Sequence, residues 1–131
     1  MYREEMMSVP CSTGEHRDHD VYAVLCPCRD ILEVLSNRWS ALAIGALAEG
    51  PQRYGQLQRR LEGITPKVLT STLRRLEAYH FVDRTAYPEI PPRVEYALTD
   101  LGRSVSVPLE GLSNWVEEHA DLIRGTAEHA S

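Results

Sequence analysis

No stretch of this 131-residue chain approaches the roughly 18 consecutive apolar residues that a membrane-spanning helix requires, which excludes a helical membrane protein. The opening residues MYREEMMSVP lack a basic stretch followed by an apolar one, so no secretory leader is expected. A cytoplasmic location without a membrane partner follows as the expectation. Three cysteines, an odd number, argue against a secreted disulfide scaffold and for reduced thiols. Also missing are a Gly-rich phosphate loop, a nucleophile elbow and a zinc-protease motif, and the five histidines lie mostly towards the ends. No enzyme and no cofactor is therefore expected, a small thiol enzyme working through Cys26 being the remote catalytic alternative. Internal repeats and low-complexity tracts are absent as well.

What is present is a make-up of 43% hydrophobic and 25% charged residues, that of one ordinary globular domain. The net charge of −5 would by itself argue against nucleic acid. Its distribution argues the other way. Residues 1–30 carry three arginines against six acids, and residues 104–131 one arginine against five. Residues 51–84 hold Arg53, Arg59, Arg60, Lys67, Arg74, Arg75 and Arg84 against Glu62, Glu77 and Asp83, a segment of +4.

At the centre of that basic segment lies GITPKVLTSTLRRLEAYHFV, residues 63–82. Thr65 can cap a helix whose first position, Pro66, has no N–H to leave unpaired. Leu69, Leu73 and Leu76 then form a narrow apolar stripe, and Lys67, Thr70, Ser71 and Arg74 occupy the other face. Upstream, the pattern predicts a short helix with Ile31, Leu32 and Leu35 inward. A second, capped by Ser36 or Asn37, presents Trp39, Leu42, Ala43, Ala46 and Leu47, and a third buries Leu57 and Leu61 beside Tyr54. Gly50 and Pro51 stop the second helix. Two helices joined by a Gly-containing turn of about four residues read as helix-turn-helix.

Beyond residue 82 the period changes to 2. VDRTAY and VEYALT read as strands joined by the stiff PEIPP, with Val94, Tyr96 and Leu98 alternating with Glu95 and Ala97. The expected class is mainly α with a small β-hairpin: a winged helix-turn-helix with terminal dimerisation helices. Thr99 or Asp100 starts the last helix, whose Val105, Leu109, Leu112, Val116, His119 and Ile123 recur as a heptad seam. Leu109, Leu112, Val116 and Ile123 are the expected dimer contacts, with Trp115 off the seam and facing the winged domain. Residues 1–25 are expected as a flexible arm, 26–125 as the domain and 126–131 as a flexible tail.

For chemistry, Lys67, Thr70, Ser71 and Arg74 stand where a recognition helix reads base edges, and Thr65, Pro66 and the first amides where it holds phosphate. Arg75 and Arg59 are weaker candidates that could equally form surface ion pairs. Arg93, after PEIPP, could reach a phosphate or the minor groove, or could pair with Glu95 or Asp83. Cys26 and Cys28 frame a proline near a helix N-terminus that favours thiolate; they read either as a redox or electrophile switch or as small buried hydrophobes. Cys11, His16, His19, Cys26 and Cys28 lack the paired spacing of structural zinc, so no metal site is assigned.

The segments CPC, NRW, EGPQRYGQLQRRLEGITPKVLTSTLRRLE and above all YPEIPPRVEYALTDLG resemble the HxlR-type transcriptional regulators, a winged-helix group related to the MarR regulators. The resemblance spans residues 26–119. It implies a homodimer that binds double-stranded operator DNA, with the helix at 65–79 in the major groove, the loop at 88–92 beside it, and terminal helices making the dimer. It further implies transcriptional regulation, read here as repression, and many members sense an electrophile or oxidant, an aldehyde among the candidates, through the cysteine that aligns with Cys26. Two positions depart: His80 stands where the family usually has glycine, and Cys28 where an apolar residue is more frequent. A winged helix used as a protein-interaction module, without operator DNA, is the alternative; steep salt dependence of duplex binding separates the two.

Overall fold

A computed structural model describes residues 19–130. The expected arm falls outside the described residues up to residue 18, as do Cys11 and His16. Of the part that is described, the 20–26 stretch is a hydrogen-bonded turn, with Ala23 N–H donating to the Asp20 carbonyl and Cys26 N–H to that of Ala23. The element order is α1 (Pro27–Ser36), α2 (Arg38–Leu47), β1 (Gln52–Arg53), α3 (Tyr54–Arg60), α4 (Pro66–Ala78), β2 (Val82–Tyr87), β3 (Arg93–Leu98) and α5 (Asp100–Ala130). The expected tail at 126–131 is thus helical through Ala130.

Local chemistry accounts for most of the helix starts. The Asn37 side chain accepts from the amides of Trp39 and Ser40, capping α2. Thr65 accepts from Val68 N–H at 3.2 Å and Pro66 opens α4. Thr99 accepts from Gly102 N–H at 3.0 Å and so caps α5. Between α3 and α4 the chain turns on Gly63, whose φ of 91° suits a residue without Cβ.

The end of α4 resolves the missing glycine. His80 itself adopts φ 67°, with its N–H on the Glu77 carbonyl and Phe81 N–H on that of Leu76, the two bonds of a Schellman ending. A left-handed residue with a Cβ is strained, while glycine loses more entropy on folding, so His80→Gly is expected to stabilise the protein by about 0.5–1 kcal/mol. A urea midpoint that rises at unchanged m-value checks this.

Among the described residues, fourteen buried apolar side chains from α1 to β3 form the core, including Ile44, Leu57, Leu69, Leu73, Leu76 and Val82. The inward faces of α3 and α4 are those expected. Those of α1 and α2 are met in part: on α1 Leu35 packs on the core as expected, but Val34 is the buried residue and Ile31 and Leu32 are exposed, and on α2 Ala43, Ala46 and Leu47 are buried and Trp39 packs on the core, with Ile44 and Ser40 buried besides and Leu42 exposed. Both helices are apolar over a wide arc, so composition left the direction of the core open.

Among the described residues the sheet has three strands, not two, in the order β1-β3-β2 and antiparallel throughout. Gln52 pairs with Tyr96 and Arg53 with Glu95, and β2 pairs with β3 from Val82–Leu98 to Tyr87–Arg93. This third strand flanks β3 on its second edge. Residues 93–97 are accordingly half-buried all along, and the polar-apolar alternation is not repeated as exposed and buried sides.

Helix α5 runs through Pro108, packs against α2 and leaves a cleft of about 670 Å³ between them. Its seam divides. Val105 and Leu109 pack on the domain's own core, whereas Leu112, Val116 and Ile123 are exposed. Trp115 does not face the winged domain: it is 50% exposed and stacks on His119 at 4.3 Å. The cleft is lined from α5 by Ser106, Leu109, Glu110, Ser113 and Glu117, one helical face, and Trp115 lies half a turn away from it.

Candidate DNA interface

Leu69, Leu73 and Leu76, joined by buried Thr72, press α4 onto the core, which leaves its remaining sides to solvent. Thr65, Pro66, Lys67, Ser71, Arg74 and Arg75 are all exposed. Lys67, Ser71 and Arg74 stand at i, i+4 and i+7, a single ridge along the helix. Thr65 uses a lone pair on the cap, so its hydroxyl proton is still available to an acceptor.

Among the described residues, Lys67, Arg74, Arg75 and Arg84 take part in no ion pair, whereas Arg60 is 3.4 Å from Glu49. Four cations without carboxylate partners thus lie on or beside one helix. Arg84, on β2, was not singled out from the sequence. It joins Thr70, Leu73, Arg74, Glu77 and Tyr96 around a groove of about 360 Å³ between α4 and the sheet. Its signal was only its place in the basic segment.

Thr70 is less available than the pattern suggested. It is half-buried, and its hydroxyl lies 3.1 Å from that of Tyr54, which also donates to the Pro66 carbonyl at 3.0 Å. Tyr54, expected only as a packing residue of α3, therefore ties the first helix of the helix-turn-helix to the first turn of the second. Two bonds from one rigid ring set the angle at which α4 is presented.

Arg93 is less available still, and pairs with Glu95 as the alternative reading had it. Rather than reaching outward from the wing, its guanidinium is held by Glu89 at 2.8 Å and Glu95 at 3.0 Å and lies 4.0 Å above the Tyr87 ring. Two carboxylates this close neutralise the charge that a phosphate would seek. Residues 88–92 of the wing are exposed, Ile90 fully so.

Before α1, Cys26 is 2% exposed at the N-cap and accepts Asp20 N–H at 3.4 Å, and Cys28, in the first turn, is half-buried. The sulfurs of both cysteines and a ring nitrogen of His19 lie within 4.8 Å of one another.

Capped helix, glycine turn, exposed ridge and three-stranded wing are the architecture of a helix-turn-helix regulator, and the comparisons agree. The model of the HxlR-like helix-turn-helix family matches residues 34–124. The chain belongs to the HxlR family. It is 40% identical over 111 residues to the uncharacterized HTH-type transcriptional regulator YtfH of Escherichia coli strain K12, covering 85% of this chain and 88% of that one. The solved structure of the ytfH transcriptional regulator of Salmonella typhimurium superposes with a TM-score of 0.80 at 35% identity, over 85% of this chain and 99% of that one. The redox regulator HypR in its oxidized form superposes with a TM-score of 0.66 at 33% identity, over 71% and 96%. This HxlR protein is accordingly a transcriptional regulator of helix-turn-helix type, and among its described residues no helix is long and apolar enough to cross a membrane.

Proposed function

We infer that this HxlR protein acts as a homodimer that binds operator DNA and represses transcription, with α4 in the major groove. The observation that carries the reading is the unpaired cationic ridge on a helix whose opposite face is fully committed to the core. Lys67, Ser71 and Arg74 read base edges, with Arg and Lys suited to guanine, while Thr65 and the first amides of α4 hold phosphate. Arg75 and Arg84 add phosphate contacts on either side. The exposed Leu112, Val116 and Ile123 supply the α5 contact to a second copy, and Leu109 supports it from the domain side. Two copies double the DNA contacts and place half-sites about one turn of duplex, or a multiple, apart.

Binding of the full-length protein to an operator selected from a random duplex library is expected to weaken steeply with salt, with a log-log slope of several units. A slope near zero would instead favour a protein-interaction module.

The thiol reading rests on Cys26, and the family neighbour HypR carries the description of a redox regulator. Cys26 is buried beneath the 20–26 turn, so an oxidant, aldehyde or other electrophile bonded to its sulfur displaces that turn or α1, which packs on α2. In this reading Cys28 is the neighbouring thiol, and Cys26→Ser abolishes operator release by such an effector.

A further inference from the structure

We propose that His19, Cys26 and Cys28 form a binding site for a thiophilic divalent cation of the zinc type. The residues come from two pieces of chain. Cys26 and Cys28 flank Pro27 at the start of α1, a helix of ten residues, and His19 returns over them through the 20–26 turn. That turn is fastened at three points: Ala23 N–H to the Asp20 carbonyl, Cys26 N–H to that of Ala23, and Tyr22 N–H to the Asp20 carboxylate.

The geometry fits the chemistry. One ring nitrogen and two sulfurs lie within 4.8 Å of one another. Ligands bonded tetrahedrally at about 2.1 Å (nitrogen) and 2.3 Å (sulfur) stand roughly 3.6–3.8 Å apart, so closing the set needs a shift of about an ångström. Two thiolates with one imidazole select a borderline-soft ion over magnesium or calcium. The amide of Asp20 donates to the Cys26 sulfur at 3.4 Å, the kind of outer bond that orients and stabilises a thiolate ligand, and the positive end of α1 favours both anionic sulfurs. Burial is graded from Cys26 inside, through half-buried Cys28, to exposed His19, which gives the ion a path in and leaves its fourth position open to water.

Binding at this site displaces one proton from each thiol, involves no change of oxidation state and is independent of DNA. The proposal shares Cys26 with the thiol-switch reading but does not rest on it. Titration of the reduced, metal-stripped full-length protein with Co²⁺ in the absence of DNA tests it, followed by displacement with Zn²⁺ in competition with a chromogenic chelator. The expected result is one ion per chain, with a sulfur-to-cobalt charge-transfer band and tetrahedral ligand-field bands. Cys28→Ser is expected to lower the affinity at least about 100-fold and His19→Ala about 10-fold or more, in line with the cost of disrupting metal shells. Neither residue is buried, so both variants are expected to fold, with a far-ultraviolet circular dichroism spectrum as the check. Absence of the charge-transfer band, or wild-type affinity in either variant, overturns the site. Neither outcome bears on operator release by an electrophile, which is read separately with DNA.

Discussion

Arg74→Ala is expected to lower the affinity for a selected operator by about 2–6 kcal/mol per dimer, roughly 30-fold to more than 10,000-fold. A bidentate contact to a base edge is worth about 1–3 kcal/mol, and the proposed homodimer makes it twice. Arg74 is placed for such a contact because it stands on the ridge of Lys67 and Ser71, is exposed, and has no carboxylate partner among the described residues. Binding to non-operator duplex depends on charge alone and should fall much less, so the ratio of the two affinities collapses. Arg93 is the internal comparison. Its guanidinium is occupied by Glu89 and Glu95, so Arg93→Ala acts through the shape of the wing and leaves that ratio unchanged. Fluorescence anisotropy on the two duplexes measures both, and equal loss of the ratio in the two variants would end the assignment of Arg74 to base reading.

Gly102→Ala is expected to destabilise the fold by about 3 kcal/mol or more, beyond what ordinary overpacking costs. A Cβ at this position would lie 2.1 Å from the carbonyl oxygen of Phe81 and 3.1 Å from a methyl carbon of Leu98. The oxygen is backbone, and it is pinned: it accepts Thr99 N–H at 3.1 Å, while the preceding carbonyl of His80 accepts the Thr99 hydroxyl. Relief would require parting the exit of α4 from the first turn of α5. Gly45→Ala gives the contrast. Nothing lies within 4 Å of its added Cβ, and alanine in a helix interior is favoured over glycine by about 0.5–1 kcal/mol. Urea titrations of the two variants should therefore move in opposite directions, and a Gly102→Ala midpoint within error of wild type would refute the contact.

Much of this molecule was legible because its signals are local. Thr65-Pro66 starts α4 by bonds within one turn, the leucines at 69, 73 and 76 share a face by helical geometry, and PEIPP separates two runs of period 2. The basic segment and the helix-turn-helix order followed from the same short-range reading. His80 was identified as the place where the usual glycine is absent, and the structure shows that the left-handed ending is kept there regardless.

Other features depended on distance in space. Gln52–Arg53 is too short to show a period, and becomes a strand only because β3 offers it an edge. Arg93 had several carboxylates within reach along the chain, and the hairpin register, which sets Asp83 opposite Ala97 and Tyr87 opposite Arg93, left Glu89 and Glu95 as its partners. The heptad seam of α5 is continuous in sequence, yet the core ends at Leu109 and divides it into a buried part and an exposed one. Likewise, the irregular spacing of His19 from Cys26 and Cys28 argued against a metal site until the 20–26 turn brought the three together. The sequence alone therefore determined the helices, the hairpin and which helix carries the cations, since caps, periods and charge act over a few residues. Tertiary structure alone decided which side chains remain available for a partner, because availability depends on what the rest of the chain has already satisfied.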